Sequence, residues 1–224
     1  KTGDRIVTYG PEQGVPQMIV RWFTEDAEGR IWAATEAGVV RWEDDRFVPV
    51  AEGSGLEDCY VMNVHLDDEG VVWLGTYGHG LVRLDGDRVD ILGTADGLHE
   101  NTVYAVAEDG LGRIWLPCNR GIFSIAKQDI EQYLAGDLPR LRPLVLGPKH
   151  GFPGTECNGG SQPSTWSDAD GRITFATNGG VVSFVPEQVH ACRRVPNVVI
   201  EELVGGCAPG GGRIGAPGDP PGSL

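Results

Sequence analysis

Short apolar runs separated by acidic, glycine-bearing turns set the rhythm of this chain. One unit opens with Ile19-Val20-Arg21-Trp22-Phe23 and turns through Glu25-Asp26-Ala27-Glu28-Gly29. It continues with Arg30-Ile31-Trp32-Ala33-Ala34-Thr35, then Val39-Val40-Arg41-Trp42, and ends with Arg46-Phe47-Val48-Pro49-Val50. Glycine supplies positive φ in such turns, and aspartate can bond its own turn backbone. Four short runs with turn signals about every 8–12 residues predict a blade of four antiparallel strands. Pro49 suits the outermost strand, where a missing N–H does no harm.

The unit recurs. Gly14, Gly55 and Gly97 are spaced by 41 and 42 residues, and Gly29, Gly70 and Gly112 keep the same step, as do Trp32, Trp73 and Trp115. Self-similarity at such a period marks a repeat architecture. Tryptophan at the start of each second strand is expected to pack between blades. A fourth unit runs from Gly151-Phe152-Pro153 through Asp168-Ala169-Asp170-Gly171-Arg172-Ile173, with Thr174 in the tryptophan position. Its glycine turn comes 59 residues after Gly112. The extra length follows Ile125, where Lys127 to Ala135 has helical spacing with Ile130, Tyr133 and Leu134 on one face and Gly136 as a stop. Arg140 to Leu146 reads as the returning outer strand.

The expectation is an all-β fold: a partial β-propeller with blades near 10–51, 52–94, 95–150 and 151–191, and one short inserted helix near 127–135. Lys1 to Tyr9 reads as the end strand of a preceding blade. Residues 192–224 read as a linker, a strand-like opening at Val195 to Leu203, and a tail rich in glycine and proline. Four blades leave apolar faces and strand edges open, so the chain is expected to be a piece of a larger propeller.

Composition narrows the function. The 224 residues carry a net charge of −14, which disfavours nucleic acid and anionic membranes. No run of about 18 apolar residues is present, and the first residues lack the apolar core of a signal peptide; no membrane contact is expected from this segment. Cysteines stand at 59, 118, 157, 192 and 207. Their odd number and the lack of C-x-x-C argue against a zinc site, and Cys59 and Cys118 are expected to be small core fillers. No metal and no cofactor are expected.

Catalytic motifs are missing: there is no G-x-S-x-G, H-E-x-x-H or P-loop. Gly75 to Gly80 is glycine-rich but joins two strands. The turn acids Asp26, Asp67, Asp68 and Asp109 recur once per blade, which favours solvated turn chemistry over calcium. In a blade, the loop entering the inner strand and the loop between strands two and three open on one face. That face would gather Gln17, Arg21, Tyr60, Tyr77, His79, Asn101, Tyr104, Asn119, Arg120, Asn158 and Asn178. Aromatic and amide side chains suit a small-molecule or oligosaccharide ligand through stacking and hydrogen bonding. The rival readings are a propeller lyase or glycosidase, which needs a converging acid–base pair, and a protein-interaction scaffold of the WD-repeat kind, whose signatures are absent at the required places.

The motifs carry a family resemblance. Gly97-Leu98-His99-Glu100-Asn101-Thr102-Val103 and Gly70-Val71-Val72-Trp73-Leu74-Gly75-Thr76 resemble the two-component regulator propeller repeat. Glu156-Cys157-Asn158-Gly159-Gly160-Ser161-Gln162-Pro163 is similar to the last blade of such sensors, and Pro196 to Leu203 resembles the start of the Y_Y_Y β-sandwich. Asn101 matches the family asparagine, which Met18 and Cys59 replace in the other units. The resemblance implies the sensory propeller of a bacterial signal-transduction receptor, non-catalytic in itself, on the periplasmic or extracellular side of a membrane. Self-association through the propeller or the adjoining sandwich would fit such a receptor.

Overall fold

The computed structural model describes residues 6–15, 19–152, 154–160 and 162–189. Residues 192–224, with the expected linker and sandwich strand, lie outside them, as does Gln17.

Four antiparallel sheets follow one another along the chain. Blade 1 holds β1 (Val20–Glu25), β2 (Ile31–Thr35), β3 (Gly38–Glu43) and β4 (Arg46–Pro49). Blade 2 holds β5 (Val61–Leu66), β6 (Val72–Thr76), β7 (Leu81–Asp85) and β8 (Arg88–Leu92). Blade 3 holds β9 (Ala107–Glu108), β10 (Arg113–Cys118), β11 (Gly121–Ala126) and, after the helix α1 (Lys127–Ala135), β12 (Leu144–Val145). Blade 4 holds β13 (Thr165–Ser167), β14 (Ile173–Thr177) and β15 (Gly180–Phe184). Strand order within each sheet is sequential, so every connection is a local hairpin turn apart from the helix excursion.

Three details depart from the expected pattern. Blade 4 has three strands among the described residues, ordered β13-β14-β15, with β15 at the edge. Ile6 to Gly10, the described part of the expected opening strand, lies in no strand. The inner strand expected over Thr102 to Val106 is displaced and shortened to β9 at Ala107–Glu108, because the backbone before it serves two blades. Val103 N–H bonds Thr76 O of blade 2 at 2.8 Å, and Tyr104 N–H bonds Pro117 O at 2.9 Å. Register shifts at Val20/Trp22 and Val61/Asn63 bend the other inner strands at the same place.

The core lies between blades. Side-chain alternation gives each sheet two apolar faces, and each face meets the next blade. Trp32, Ala34 and Val39 of blade 1 pack with Val72, Leu74, Val82 and Leu84 of blade 2. Trp73 and Leu81 meet Ile114, Leu116, Phe123 and Ile125, and Trp115 and Ile122 meet Ile173 and Phe175. The repeated tryptophans are thus inter-blade anchors, as their spacing predicts.

The acidic turns hold those anchors in place. Asp26 Oδ1 accepts N–H bonds from Glu28 and Arg30, while Oδ2 accepts the indole N–H of Trp32 at 2.8 Å. Asp67 does the same for Glu69, Val71 and Trp73, and Asp109 for Leu111, Arg113 and Trp115. The expectation of solvated turn acids is corrected here: Asp67 and Asp109 are buried, and only Asp68 of that set is exposed. Blade 4 keeps half of the device. Asp168 Oδ1 bonds Asp170 and Arg172, but Thr174 replaces the indole and bonds Ser183 Oγ at 2.9 Å instead.

Helix α1 buttresses blades 2 and 3. Ile130 is fully buried, Tyr133 and Leu134 pack beside it, and Gly136 ends the helix at φ 85°. At its first residue, Lys127 Nζ lies 2.8 Å from Asp67, 3.0 Å from Glu69 and 3.0 Å from Glu108. Burial lowers the affinity of this ammonium for its proton, but the three carboxylates more than reverse that and raise it above the ordinary lysine range. Glu131 Oε1 lies 2.9 Å from Nε of the buried Arg83 guanidinium, an ion pair.

Candidate functional site

The turns between second and third strands all follow a threonine or cysteine: Thr35, Thr76, Cys118 and Thr177. The next residue stands on one loop face of the blade, at Glu36, Tyr77, Asn119 and Asn178. Thr76 Oγ1 donates to Gly80 O at 2.7 Å and accepts the His79 N–H at 3.2 Å, which fixes the turn presenting Tyr77 and His79. Gly75 lets blade 3 approach: a Cβ there would stand 2.7 Å from Val103 O.

Two clusters form on this face. In the first, the Arg21 guanidinium lies 5.2 Å from the Tyr60 ring centre, and the Tyr60 and Tyr77 rings lie 5.8 Å apart at 43°. Backbone N–H of Tyr77 bonds Tyr60 O at 2.8 Å, so the two loops are tied together. Arg21 also meets Glu36 at 3.4 Å. Burial, then hydrogen bonding to Glu36, holds the Tyr60 phenol protonated above its ordinary pKa. Tyr77 remains 55% exposed, so its ring is the open part of the cluster.

In the second cluster, Tyr104 donates its hydroxyl proton to Asn119 Oδ1. Its ring fills the space over Gly159, where a Cβ would come within 2.2 Å of it. Burial, then the charges of Glu156 and Tyr77, raise the Tyr104 pKa, which places all three in one neighbourhood. Asn158 and Asn178 flank this cluster on exposed loops. Asn158 N–H bonds Ala176 O, and Asn178 N–H bonds Glu156 O, each at 2.9 Å. Arg120 is exposed and reaches His99 O at 3.4 Å; burial, then this guanidinium, lowers the His99 pKa.

Asn101 plays a different part from the others. Its side-chain oxygen accepts the Thr94 N–H at 2.7 Å, and its backbone oxygen accepts N–H bonds from Gly78 and Gly80. It locks the loop that carries Tyr77 rather than presenting a free amide. Asn158 Oδ1 is likewise engaged, by Gly160 N–H at 3.0 Å. The face is an open surface. A cavity of about 380 Å³ lies elsewhere, between the end of blade 3 and β15, and none of the candidate residues lines it. Among the described residues, no group of three or more His, Cys, Asp or Glu side chains is arranged to hold a metal. Glu36 was absent from the sequence expectation, although its place directly after Thr35 matches Tyr77, Asn119 and Asn178.

Comparison with solved structures bears on this arrangement. The extracellular domain of BT3049 from B. thetaiotaomicron, assigned as a hybrid two-component system, matches with a TM-score of 0.61 at 22% identity, over 82% of this chain and 23% of its own. The corresponding domain of BT4673 from the same organism gives 0.59 at 18% identity, over 75% and 23%. Virginiamycin B lyase from Staphylococcus aureus gives 0.51 at 11% identity, over 76% and 57%. The shared feature is the fold. This chain is a β-propeller segment. It spans less than a quarter of the length of the two-component extracellular domains it matches. No family model matches the chain, and no curated protein is similar enough in sequence to count as a relative. No helix among the described residues is long and apolar enough to cross a membrane.

Proposed function

We propose that this propeller segment is the ligand-recognising part of an extracytoplasmic receptor of the two-component type and is non-catalytic in itself. The observation that carries the proposal is the Arg21–Tyr60–Tyr77 cluster, with a cation on β1 beside a half-buried phenol and an exposed ring whose two loops are tied by backbone. Such a surface recognises a small ligand with both an apolar face and hydroxyl groups, and an oligosaccharide has that chemistry. Tyr104, Asn119, Arg120, Asn158 and Asn178 extend it toward blade 4. The fold shared with extracellular domains of two-component systems supports a place on the outer side of a membrane. Recognition is favoured over catalysis because the nearest carboxylate to the first cluster, Glu36, is paired with Arg21.

Titration calorimetry with a panel of neutral and uronic-acid-bearing oligosaccharides tests this. Tyr77→Ala and Arg120→Ala are expected to weaken binding of any captured sugar by about tenfold or more, the scale of one lost hot-spot contact. Undiminished affinity in both variants would remove this face from consideration.

A further inference from the structure

Two successive gaps between blades differ at one position. Both open at the end of the blades opposite the candidate ligand face, where first strands turn into second strands. Strand register matches Gly86 to Lys127. Trp73 stands opposite Arg83 and Trp115 opposite Ser124, and each of the two residues follows three places later. Lys127 reaches back from blade 3 to Asp67 and Glu69 of blade 2, and meets Glu108 of its own blade. Its side chain is only 15% exposed, so the lysine is sunk into the gap between blades 2 and 3.

Between blades 1 and 2 the residues at the matching places are Asp26, Glu28 and Leu66, with Gly86 where the lysine would stand. All four line a cavity of about 630 Å³. Its inner wall is apolar, formed by Val50, Val72 and Leu84. Arg30 holds Asp26 at 2.7 Å and Glu28 at 2.9 Å, and Arg41 pairs with Glu43. Glu25 and Asp68 also border the cavity; both are exposed and neither makes an ion pair among the described residues. An apolar wall below free carboxylates suits a side chain with a long aliphatic stem and a cationic head. Lysine is such a side chain, and this molecule already seats one at the equivalent place in the next gap.

We propose that the gap between blades 1 and 2 is a docking groove for a lysine-bearing segment of a partner protein, whose side chain enters as Lys127 enters the gap between blades 2 and 3. The stem lies along the apolar wall and the ammonium meets the acids of the rim. The groove is separate from the ligand face and does not depend on how that face is read.

Fluorescence anisotropy of labelled tetralysine, titrated with the whole chain at near-physiological salt, tests it. Saturable binding is expected. Glu25→Gln combined with Asp68→Asn should weaken it about tenfold, the scale of two lost surface ion pairs. Asp137→Asn combined with Glu187→Gln removes the same charge from exposed positions elsewhere and should leave it unchanged. A further variant, Gly86→Lys, supplies the missing side chain from the chain itself. A Cβ at Gly86 meets nothing within 4 Å, and Asp44 holds φ 45° at the matching turn of blade 1 where Gly86 holds 58°, so the position admits a side chain. Gly86→Lys should block the peptide, whereas Gly86→Asn, with the same backbone demand and no ammonium, should not. No binding of tetralysine would overturn the proposal. Equal weakening by the two double variants would overturn it in favour of attraction to net charge alone, and undiminished binding to Gly86→Lys would remove the groove as the place of contact.

Discussion

At the scale of single residues, three aspartates carry a disproportionate share of the order. Asp109 accepts two backbone N–H bonds and one indole N–H, and removing it leaves those donors without a partner in a buried turn. Asp109→Ala should therefore cost about 2–4 kcal/mol in urea melts, whereas Asp168→Ala, with no indole to orphan, should cost about 1 kcal/mol. The pH dependence follows from Asp26. Burial pushes its carboxyl up, but the bonds from Trp32 and Arg30 outweigh this and bring it down to about 2 from 3.8. A depressed folded-state pKa means stabilisation that is complete above the unfolded value and lost as pH falls toward 2. A melting series from pH 5 to pH 2 (values on the order of the carboxylate range) should show that loss, and Asp26→Asn should flatten it. Burial raises Cys118 to about 11 and Cys157 to about 12. Alkylation followed by peptide mapping should find both thiols unmodified in the native protein at neutral pH and modified after unfolding.

Among elements, the strands were legible in sequence because alternation, turn glycines and tryptophans all repeat in step. Helix α1 was legible for a related reason: Ile130, Tyr133 and Leu134 share a face, and Gly136 marks its end. The inner run Thr102 to Val106 was not, since its hydrogen bonds reach into a neighbouring sheet, which no local pattern records. The paired use of Asp109 and Trp115 was also hidden, although their six-residue separation repeats in every complete blade. The positions after each second strand could be read from blade geometry, whereas the bond from Thr94 N–H to Asn101 Oδ1 joins two loops and leaves no local pattern. Lys127 shows how an insertion becomes structural. Lys127→Met should cost about 3 kcal/mol, since it leaves Asp67 and Glu108 without their cation, and double-mutant cycles with Glu108→Gln should show the coupling. Gly75→Ala should cost about 1–3 kcal/mol by forcing blades 2 and 3 apart at Val103.

For the whole molecule, the apolar faces at the two ends of the blade series remain partly open, with Phe23 50%, Trp166 64% and Val181 72% exposed. A net charge of −14 keeps copies apart at neutral pH. Light scattering should therefore rise as pH approaches the isoelectric point of about 4.7, and Trp166→Ser should reduce that rise. The Gln162 bridge has a kinetic meaning as well. Successive blades pair through neighbouring segments, so they can assemble in order as the chain emerges. Gln162 and Phe23 are separated by 139 residues, the widest span of any hydrogen bond among the described residues. Loop-closure entropy makes such a contact late. Gln162→Ala should then leave the refolding rate nearly unchanged while unfolding becomes faster, because the bridge joins the two ends of the blade series only after the blades themselves exist.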